Sequence, residues 1–326
     1  MPGTLIYLSN CAISADGRQN PFMMQELPWL MAHFDRVMMV SYYGVRTLMP
    51  GDERGERPFT AVRPGLAGLR ALLKTPFTAD VWRELKHMRR DGVLTPGNAL
   101  RLLAFTQRGL KMHYWTERLL RGVVEAHTTL YSCWMSFDGY AAALSKRKHP
   151  RVRCVIRGHA YDVDTERFAK NPYMMKRRIA AEADGLYLIS RTARAQFMSY
   201  MRGHVDERKV HVLAMGSSGM PVDRLREPPL YTQGVLRVVS CAMFNPIKQV
   251  DVLVRALSRW QGGPLCWTHI GAGAEEAKVR ALASELLDPK ENVICELLGE
   301  LDGARVQRLY DTRPFDVFIN TSKKEG

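Results

Sequence analysis

The feature that most constrains the fold of this chain is a regular alternation between short apolar runs and longer segments with helical spacing. Runs such as TLIYLS (4–9) and RVRCVIRGH (151–159) read as buried strands, whereas PFMMQELPWLMAHF (21–34) has its apolar residues at helical spacing. Strands that are separated by helices cannot pair as hairpins, so they lie parallel, with helices packed on the faces of the sheet. The alternation therefore predicts an α/β fold of doubly wound parallel sheets.

A break in this alternation divides the chain. Residues 217–234 (SSGMPVDRLREPPLYTQG) show no periodicity and contain three prolines, which predicts a linker. A second alternating series with four strands follows. The sequence thus predicts two Rossmann-like domains, 1–222 and 223–326, and the second is expected to be incomplete because a doubly wound unit usually carries about six strands.

The cysteines and the apolar runs narrow the class of protein. Six cysteines are scattered through 326 residues without a C-x-x-C pair, which argues against a zinc site or a disulfide framework and for a reducing compartment. No stretch approaches the roughly 18 continuous apolar residues that a membrane span requires. The N-terminal MPGTLIYLSN has no charged segment before its apolar run, unlike a signal peptide. We therefore expect a cytoplasmic protein.

The charge of the chain points to anionic partners. A formal net charge of +14 suits nucleic acid, anionic lipid head groups or phosphorylated substrates. Nucleic acid is disfavoured because no nucleic-acid-binding motif is present and the charge is spread along the chain. Residues 60–127 concentrate Arg, Lys, Leu and aromatic residues in amphipathic helical patterns. This region predicts a membrane-surface patch, a lid over a lipid-linked acceptor, or ordinary solvated helix faces.

Ligands of open α/β sheets bind at the carboxyl ends of the strands, and polar residues follow several predicted strands. In FNPIKQVDVLVRAL, Lys248 lies between a strand and a helix, where its charge adds to the free amides of the helix N-terminus and suits a phosphate. In THIGAGAEEAKV, Gly271 and Gly273 would let the backbone approach a ligand closely. The alternatives are a solvated surface lysine and an ordinary tight turn.

Another strand end, IRGHAYDVDTER, crowds Arg157, His159 and Asp162 into one loop. Histidine with arginine and aspartate suits contacts to substrate hydroxyls or phosphates, or proton transfer. The alternative is a hydrogen-bonded loop with a structural role.

The last segment, NTSKKEG, follows the final predicted strand. Ser322 and Lys323 would meet phosphate, and Glu325 would accept hydrogen bonds from sugar hydroxyls. The alternative is an ordinary polar loop.

These segments, in this order, resemble the retaining glycosyltransferases of family 4, which have the GT-B fold. In the second domain the likeness is carried by VVSCAMFNPIKQVDVLVRAL, WTHIGAGAEEAKVRALASEL and LLGELDGARVQRLYDTRPFDVFINTSKKEG. In the first, NPFMMQELPWLMAHFDRVMMVS and RGHAYDVDTERF are similar to members that build bacterial surface polysaccharides. The likeness covers nearly the whole chain, although residues 45–127 are not diagnostic.

The resemblance implies roles for individual residues. Lys248 matches the lysine on the donor diphosphate, and Glu325 matches the first glutamate of the E-x7-E motif, which contacts the transferred sugar. His159 matches a histidine near the reacting centre. Gly271 and Gly273 match the loop that lines the donor cleft.

The sequence departs from the family pattern at three places. An arginine commonly lies five residues before the lysine, and here that position is Met243. The acidic residue usual between the two glycines is replaced by Ala272. The second glutamate would lie eight residues beyond Glu325, past Gly326, so the resemblance predicts a fragment truncated inside its donor site.

The resemblance implies a hexosyltransferase-like enzyme that moves a sugar, with retention of its anomeric configuration, from a nucleotide-sugar to a polysaccharide, lipopolysaccharide or lipid-linked glycan. Ser322 and Lys323 would line the donor cleft, and Arg157 and Asp162 the acceptor side or its loop. The nucleotide-sugar is a substrate, and neither a cofactor nor a metal is expected. The implied location is the inner face of the plasma membrane, as a peripheral protein. A GT-B-shaped nucleotide-sugar epimerase and a non-catalytic basic binding protein derived from a degenerate transferase remain alternatives.

Overall fold

The computed structural model describes residues 3–10, 21–42, 44–48, 66–163, 174–216 and 234–323. The chain divides into two compact units, Met1–Ser218 and Gly219–Glu325, each with its own sheet and core. The boundary between them falls within 217–233, outside the described residues.

The first unit is built on a seven-stranded sheet in the order β3-β2-β1-β4-β5-β6-β7. Its strands are β1 (Thr4–Ser9), β2 (Arg36–Ser41), β3 (Val45–Leu48), β4 (Thr128–Ser132), β5 (Arg153–Gly158), β6 (Gly185–Leu188) and β7 (Val210–Val212). All neighbours pair in parallel except β2 and β3, which are antiparallel. The sequence pattern did not reveal β3, because four residues are too few to establish a period of two.

Eight helices of the first unit lie in the described residues. They are α1 (Pro21–His33), α2 (Leu66–Lys74), α3 (Ala79–Arg90), α4 (Pro96–Leu120), α5 (Phe137–Lys148), α6 (Ala160–Val163), α7 (Lys176–Glu182) and α8 (Arg191–Tyr200). Alternate side chains of β1 enter two cores on opposite faces of the sheet. Leu5 and Tyr7 pack with residues of α1, whereas Ile6 and Leu8 pack in the larger core that includes α4, α5, α7 and α8.

The region 60–127, predicted as amphipathic helices, forms α2, α3 and α4 where it is described. The longest of these, α4, begins after Thr95, whose hydroxyl oxygen accepts a hydrogen bond from the Asn98 amide at 3.1 Å. Pro96 occupies its first turn, where the missing amide has no intrahelical partner to lose. Among the described residues, none of the helices combines the length and the apolar composition needed to cross a bilayer.

The second unit has a four-stranded parallel sheet in the order β10-β9-β8-β11. Its elements are β8 (Leu236–Cys241), α9 (Val250–Ser258), β9 (Leu265–Ile270), α10 (Glu276–Leu287), β10 (Val293–Leu297), α11 (Gly303–Thr312) and β11 (Val317–Phe318). Trp267, Phe244 and Leu287 are fully buried in its core. The two units confirm the predicted fold, which is two Rossmann-like α/β domains.

The strand order of each sheet contains a reversal. In the first sheet the chain runs outward from β1 to β3 and then returns to place β4 on the other side of β1. In the second it runs from β8 to β10 and returns to place β11 on the other side of β8. In open α/β sheets, ligands bind at such a reversal, outside the carboxyl ends of the strands.

Candidate functional site

The reversal of the second sheet lies between β8 and β11, so the loop after β8 (242–249, the β8 loop) and the loop after β11 are neighbours at its carboxyl edge. Thr321 donates its hydroxyl to the Lys248 carbonyl oxygen at 3.0 Å, and the Lys323 amide donates to the Ile247 carbonyl oxygen at 2.8 Å. These bonds hold the two loops together. The structure therefore brings Lys248 next to the segment that carries the predicted residue Lys323.

The turn that carries Lys248 is fixed by Asn245. The Asn245 Oδ1 atom accepts hydrogen bonds from the amides of Ile247 and Lys248, both at 3.0 Å. Gln249 then adopts a left-handed conformation with φ 49°, and α9 begins at the next residue. Such a conformation is unfavourable for a residue with a Cβ and is kept only when its surroundings impose it. The half-buried Lys248 is thus held directly before a helix N-terminus.

The other predicted residues of this edge lie in the loop after β11. The Ser322 hydroxyl donates to Asn320 Oδ1 at 2.6 Å, and the Ser322 amide donates to the same oxygen at 2.9 Å. Ser322 is half-buried and Lys323 is exposed. The predicted residue Glu325 lies outside the described residues.

The glycine loop after β9 packs directly on the β8 loop. Gly271 has φ 148°, and a Cβ built on it would overlap the Ala242 carbonyl oxygen. A Cβ on Gly273 would lie 2.5 Å from the Phe244 carbonyl oxygen. The two glycines are therefore required where one backbone meets another, which sets the position of the glycine loop beside the β8 loop.

A buried histidine lies beneath these loops. His269 Nδ1 is 2.7 Å from Ser240 Oγ, and its Nε2 is 3.1 Å from the Ala242 carbonyl oxygen. Because a carbonyl only accepts, Nε2 carries the proton and Nδ1 accepts from the serine, whose oxygen accepts in turn from Trp267 Nε1 at 2.9 Å. Burial lowers the pKa of His269 to about 4, so the ring is neutral at neutral pH.

We expect the second unit to lose stability in mild acid. Its single histidine, His269, has a pKa near 6.5 when unfolded and about 4 when folded, so the unfolded state binds the proton first. The free energy of unfolding should therefore fall by about 3 kcal/mol as the pH drops from 6.5 to 4. Hydrogen exchange of β8 and β9 between these pH values measures the change. His269→Gln should flatten the dependence, and an equally steep fall in that variant would contradict the assignment.

Polar contacts also cross the reversal of the first sheet. The Asn10 amide, just after β1, donates to Asp138 Oδ2 at 3.1 Å, and the Asn10 side-chain nitrogen donates to Ser136 Oγ at 2.7 Å. The Ser136 hydroxyl donates to Asp138 Oδ1 at 2.9 Å. None of these three residues was predicted from the sequence, because nothing local distinguishes them from ordinary helix-start residues.

His159 lies at the end of the adjacent strand, β5, and is buried. Its ring stacks on Trp134 with centroids 4.2 Å apart, and its Nε2 donates to the Cys133 carbonyl oxygen at 3.1 Å. The backbone amide of His159 donates to Asp162 Oδ2 at 2.9 Å. Burial lowers the pKa of His159, so the imidazole is neutral at neutral pH.

Asp162 belongs to a buried charge cluster that the sequence did not reveal. Lys176 Nζ lies 3.6 Å from Asp162 Oδ1 and also donates to the Met135 carbonyl oxygen. Burial, and secondarily the nearby Asp162 charge, raise the pKa of Asp138 to about 7, whereas burial lowers the pKa of Lys176. Within the described ranges, no group of three or more His, Cys, Asp or Glu side chains is placed to hold a metal ion.

The Arg157 side chain contacts different residues from the His159 side chain. Its guanidinium forms an ion pair with the half-buried Glu26 of α1, and Tyr131 donates its hydroxyl to the same carboxylate at 2.8 Å. This ion pair lines a largely apolar groove of about 660 Å³ on the α1 face of the first sheet. The structure thus places His159 and Asp162 together, and Arg157 with α1.

The chain is similar to solved structures of carbohydrate enzymes. The lipopolysaccharide outer core galactosyltransferase WaaB, in its apo form, matches with a TM-score of 0.59 and 14% identity over 99% of this chain and 75% of that chain. The α,α-trehalose 6-phosphate synthase from Burkholderia multivorans matches with a TM-score of 0.59 and 12% identity over 100% and 78%. Anabaena Alr3699/HepE, in complex with UDP and glucose, matches with a TM-score of 0.53 and 13% identity over 99% and 75%.

At these low identities the likeness shows the fold, which is that of GT-B glycosyltransferases. The chain spans about three quarters of the length of these neighbours. No family model matches the sequence, and a search of curated proteins gives no match. Membership of family 4 stays a prediction.

Proposed function

We propose that the chain is a glycosyltransferase that moves a sugar from a nucleotide-sugar donor to a polysaccharide, lipopolysaccharide or lipid-linked glycan acceptor, with retention of the anomeric configuration. The observation that supports this most directly is the β8 loop. It gathers Lys248, the glycine loop and the Ser322–Lys323 segment at the carboxyl edge of the second sheet. The fold of glycosyltransferases, one of them solved with UDP and glucose, supports the same assignment.

The chemistry proposed for the second unit is stabilisation of a leaving diphosphate. As the bond between the sugar C1 and the diphosphate oxygen breaks, negative charge develops on the phosphates. The Lys248 ammonium and the first amides of α9 would stabilise that charge, and Lys323 would add a second positive group. Glu325 would contact the transferred sugar. No residue of the chain need form a covalent bond with the sugar.

The first unit is proposed to bind the acceptor. His159 would lie near the reacting hydroxyl, with Asp162 fixing the backbone of its loop. Because the His159 Nε2 proton is already given to the Cys133 carbonyl, the ring is held in one orientation. Burial lowers the pKa of the ring, so it would contribute to the site as a neutral imidazole at pH 7. Arg157, paired with Glu26, would support the acceptor side through the position of α1.

Nucleotide binding tests the proposal. We expect UDP or another nucleoside diphosphate to slow hydrogen exchange in the β8 loop and in residues 319–323, and the matching monophosphate to protect them less. If no nucleoside diphosphate or nucleotide-sugar protects these loops at millimolar concentration, the proposal loses its basis. Incubation of a bound nucleotide-sugar without acceptor separates the alternatives, since an epimerised donor would indicate an epimerase. Binding to anionic polymers that nucleotides do not affect would favour a non-catalytic protein.

A further inference from the structure

The helices α2 and α3 of the first unit, with the short turn Thr75–Phe77 between them, expose an unusual number of large apolar side chains. Leu66 is 85% exposed, Phe77 78% and Trp82 64%. Leu69, Leu72 and Leu73 of α2 are also more than half exposed. Single exposed apolar residues are ordinary, but a cluster on one pair of consecutive helices indicates a contact surface.

The leucines are exposed because α2 packs through its small residues. Ala71 is fully buried, and Thr75, one turn later, is buried with its hydroxyl donating to the Ala71 carbonyl oxygen at 2.7 Å. The side that α2 turns towards α4 is therefore lined by alanine, and its leucines face outward. An ordinary surface helix has the opposite arrangement, with its large apolar residues turned to the core.

The corner between α2 and α3 carries a hydrogen-bonded tryptophan. Trp82 donates its indole N–H to the Pro76 carbonyl oxygen at 2.9 Å, which keeps the exposed ring beside the short turn that carries Phe77. An aromatic ring with a satisfied polar group and an exposed apolar body suits the interfacial layer of a membrane.

The basic and acidic side chains of residues 66–90 differ in their exposure. All six lysines and arginines between residues 66 and 90 are exposed, namely Arg70, Lys74, Arg83, Lys86, Arg89 and Arg90. Both carboxylates of the segment are buried. Asp80 accepts from Arg178 at 2.6 Å, and burial raises the pKa of Glu84 to about 7. The solvent-facing side of the segment therefore presents positive charge and leucine together.

We propose that α2 and α3 form a surface that docks on an anionic lipid bilayer, and we call residues 66–90 the docking segment. Leu66, Leu69, Leu73 and Phe77 would enter the boundary between head groups and acyl chains, and the surrounding cations would contact lipid phosphates. Arg70 and Lys74 line a shallow depression together with three of the leucines, so both kinds of contact are made on one side of α2. The charge complementarity favours an anionic bilayer over a second copy of this basic chain. Docking would place the proposed transferase at a membrane surface, but the docking proposal does not depend on sugar transfer.

Vesicle flotation of the full chain tests the docking segment. Vesicles of phosphatidylcholine with about one third phosphatidylglycerol should bind the chain at physiological ionic strength at least tenfold more strongly than vesicles of phosphatidylcholine alone. Leu69→Gln with Leu73→Gln, and separately Arg70→Ala with Lys74→Ala, should each weaken binding about tenfold or more. Ile294→Gln with Arg305→Ala, which replaces an exposed apolar and an exposed basic residue of the second unit, should leave binding unchanged. Brominated lipid should quench the wild-type fluorescence more than that of Trp82→Phe.

Equal binding to neutral and anionic vesicles, or full binding by the docking-segment variants, would overturn the proposal. The proposal would also be overturned if the wild-type chain did not bind vesicles but formed a dimer that the docking-segment variants lost, as measured by analytical ultracentrifugation. Unchanged circular dichroism and melting show that the variants are folded. Protection of the β8 loop by UDP, measured without vesicles in the same preparation, reports on the transferase assignment separately.

Discussion

Replacing Lys248 by alanine should lower sugar transfer by about 100-fold or more, because one positive group that stabilises the leaving diphosphate is lost. The nucleoside diphosphate should bind about 10- to 100-fold more weakly, the range expected when a charged hydrogen bond is removed. The Lys248 amide donates to the side-chain oxygen of Asn245, and this bond does not involve the Lys248 side chain, so the turn should persist. Isothermal titration with UDP and a turnover assay measure the two effects.

Lys290→Ala is the matched control. Lys290 precedes β10, at the amino edge of the same sheet, so it is far along the strands from the β8 loop. Its removal takes away the same charge from the same unit and should change neither binding nor turnover. If Lys248→Ala and Lys290→Ala weaken nucleotide binding equally, the effect comes from net charge and not from a site at the β8 loop.

Gly271→Ala should destabilise the second unit by about 3 kcal/mol, since the new methyl group meets the Ala242 carbonyl oxygen at a positive φ. The backbone cannot give way easily, because the Gly271 amide donates to the Gly299 carbonyl oxygen at 2.8 Å and the Ala242 amide donates to Ile270 at 2.9 Å. Hydrogen exchange of β8 and β9 measures the loss.

Gly299→Ala separates the effect of the positive φ from the effect of the steric overlap. Gly299 also has a positive φ, 75°, but a Cβ there meets nothing within 4 Å. It should cost only about 1 kcal/mol, the ordinary penalty for a side chain in the left-handed region. Equal losses in the two variants would show that conformation alone requires glycine at 271, and that the close approach of the two loops contributes nothing.

The residues of the candidate site that directly follow strands could be identified from the sequence. Lys248, Gly271 and Lys323 each follow an apolar run, and parallel strands bring their carboxyl ends to one edge of the sheet, so their grouping follows from local sequence. The partners that hold them were not predictable. The contact of Thr321 with Lys248 joins residues 73 positions apart, and no local pattern records it.

The sequence by itself determined most of the elements and their order, though not the four-residue β3, because strand and helix periodicity are recorded in neighbouring residues. It also determined the division into two sheets and the edge of each at which a ligand is expected. Only the tertiary structure decided what individual side chains face. It paired Arg157 with Glu26, buried Asp162 beside Lys176, and turned the leucines of α2 outward by packing its alanines towards α4. These outcomes depend on contacts between residues far apart in the chain, and such contacts are fixed only when the whole core is packed.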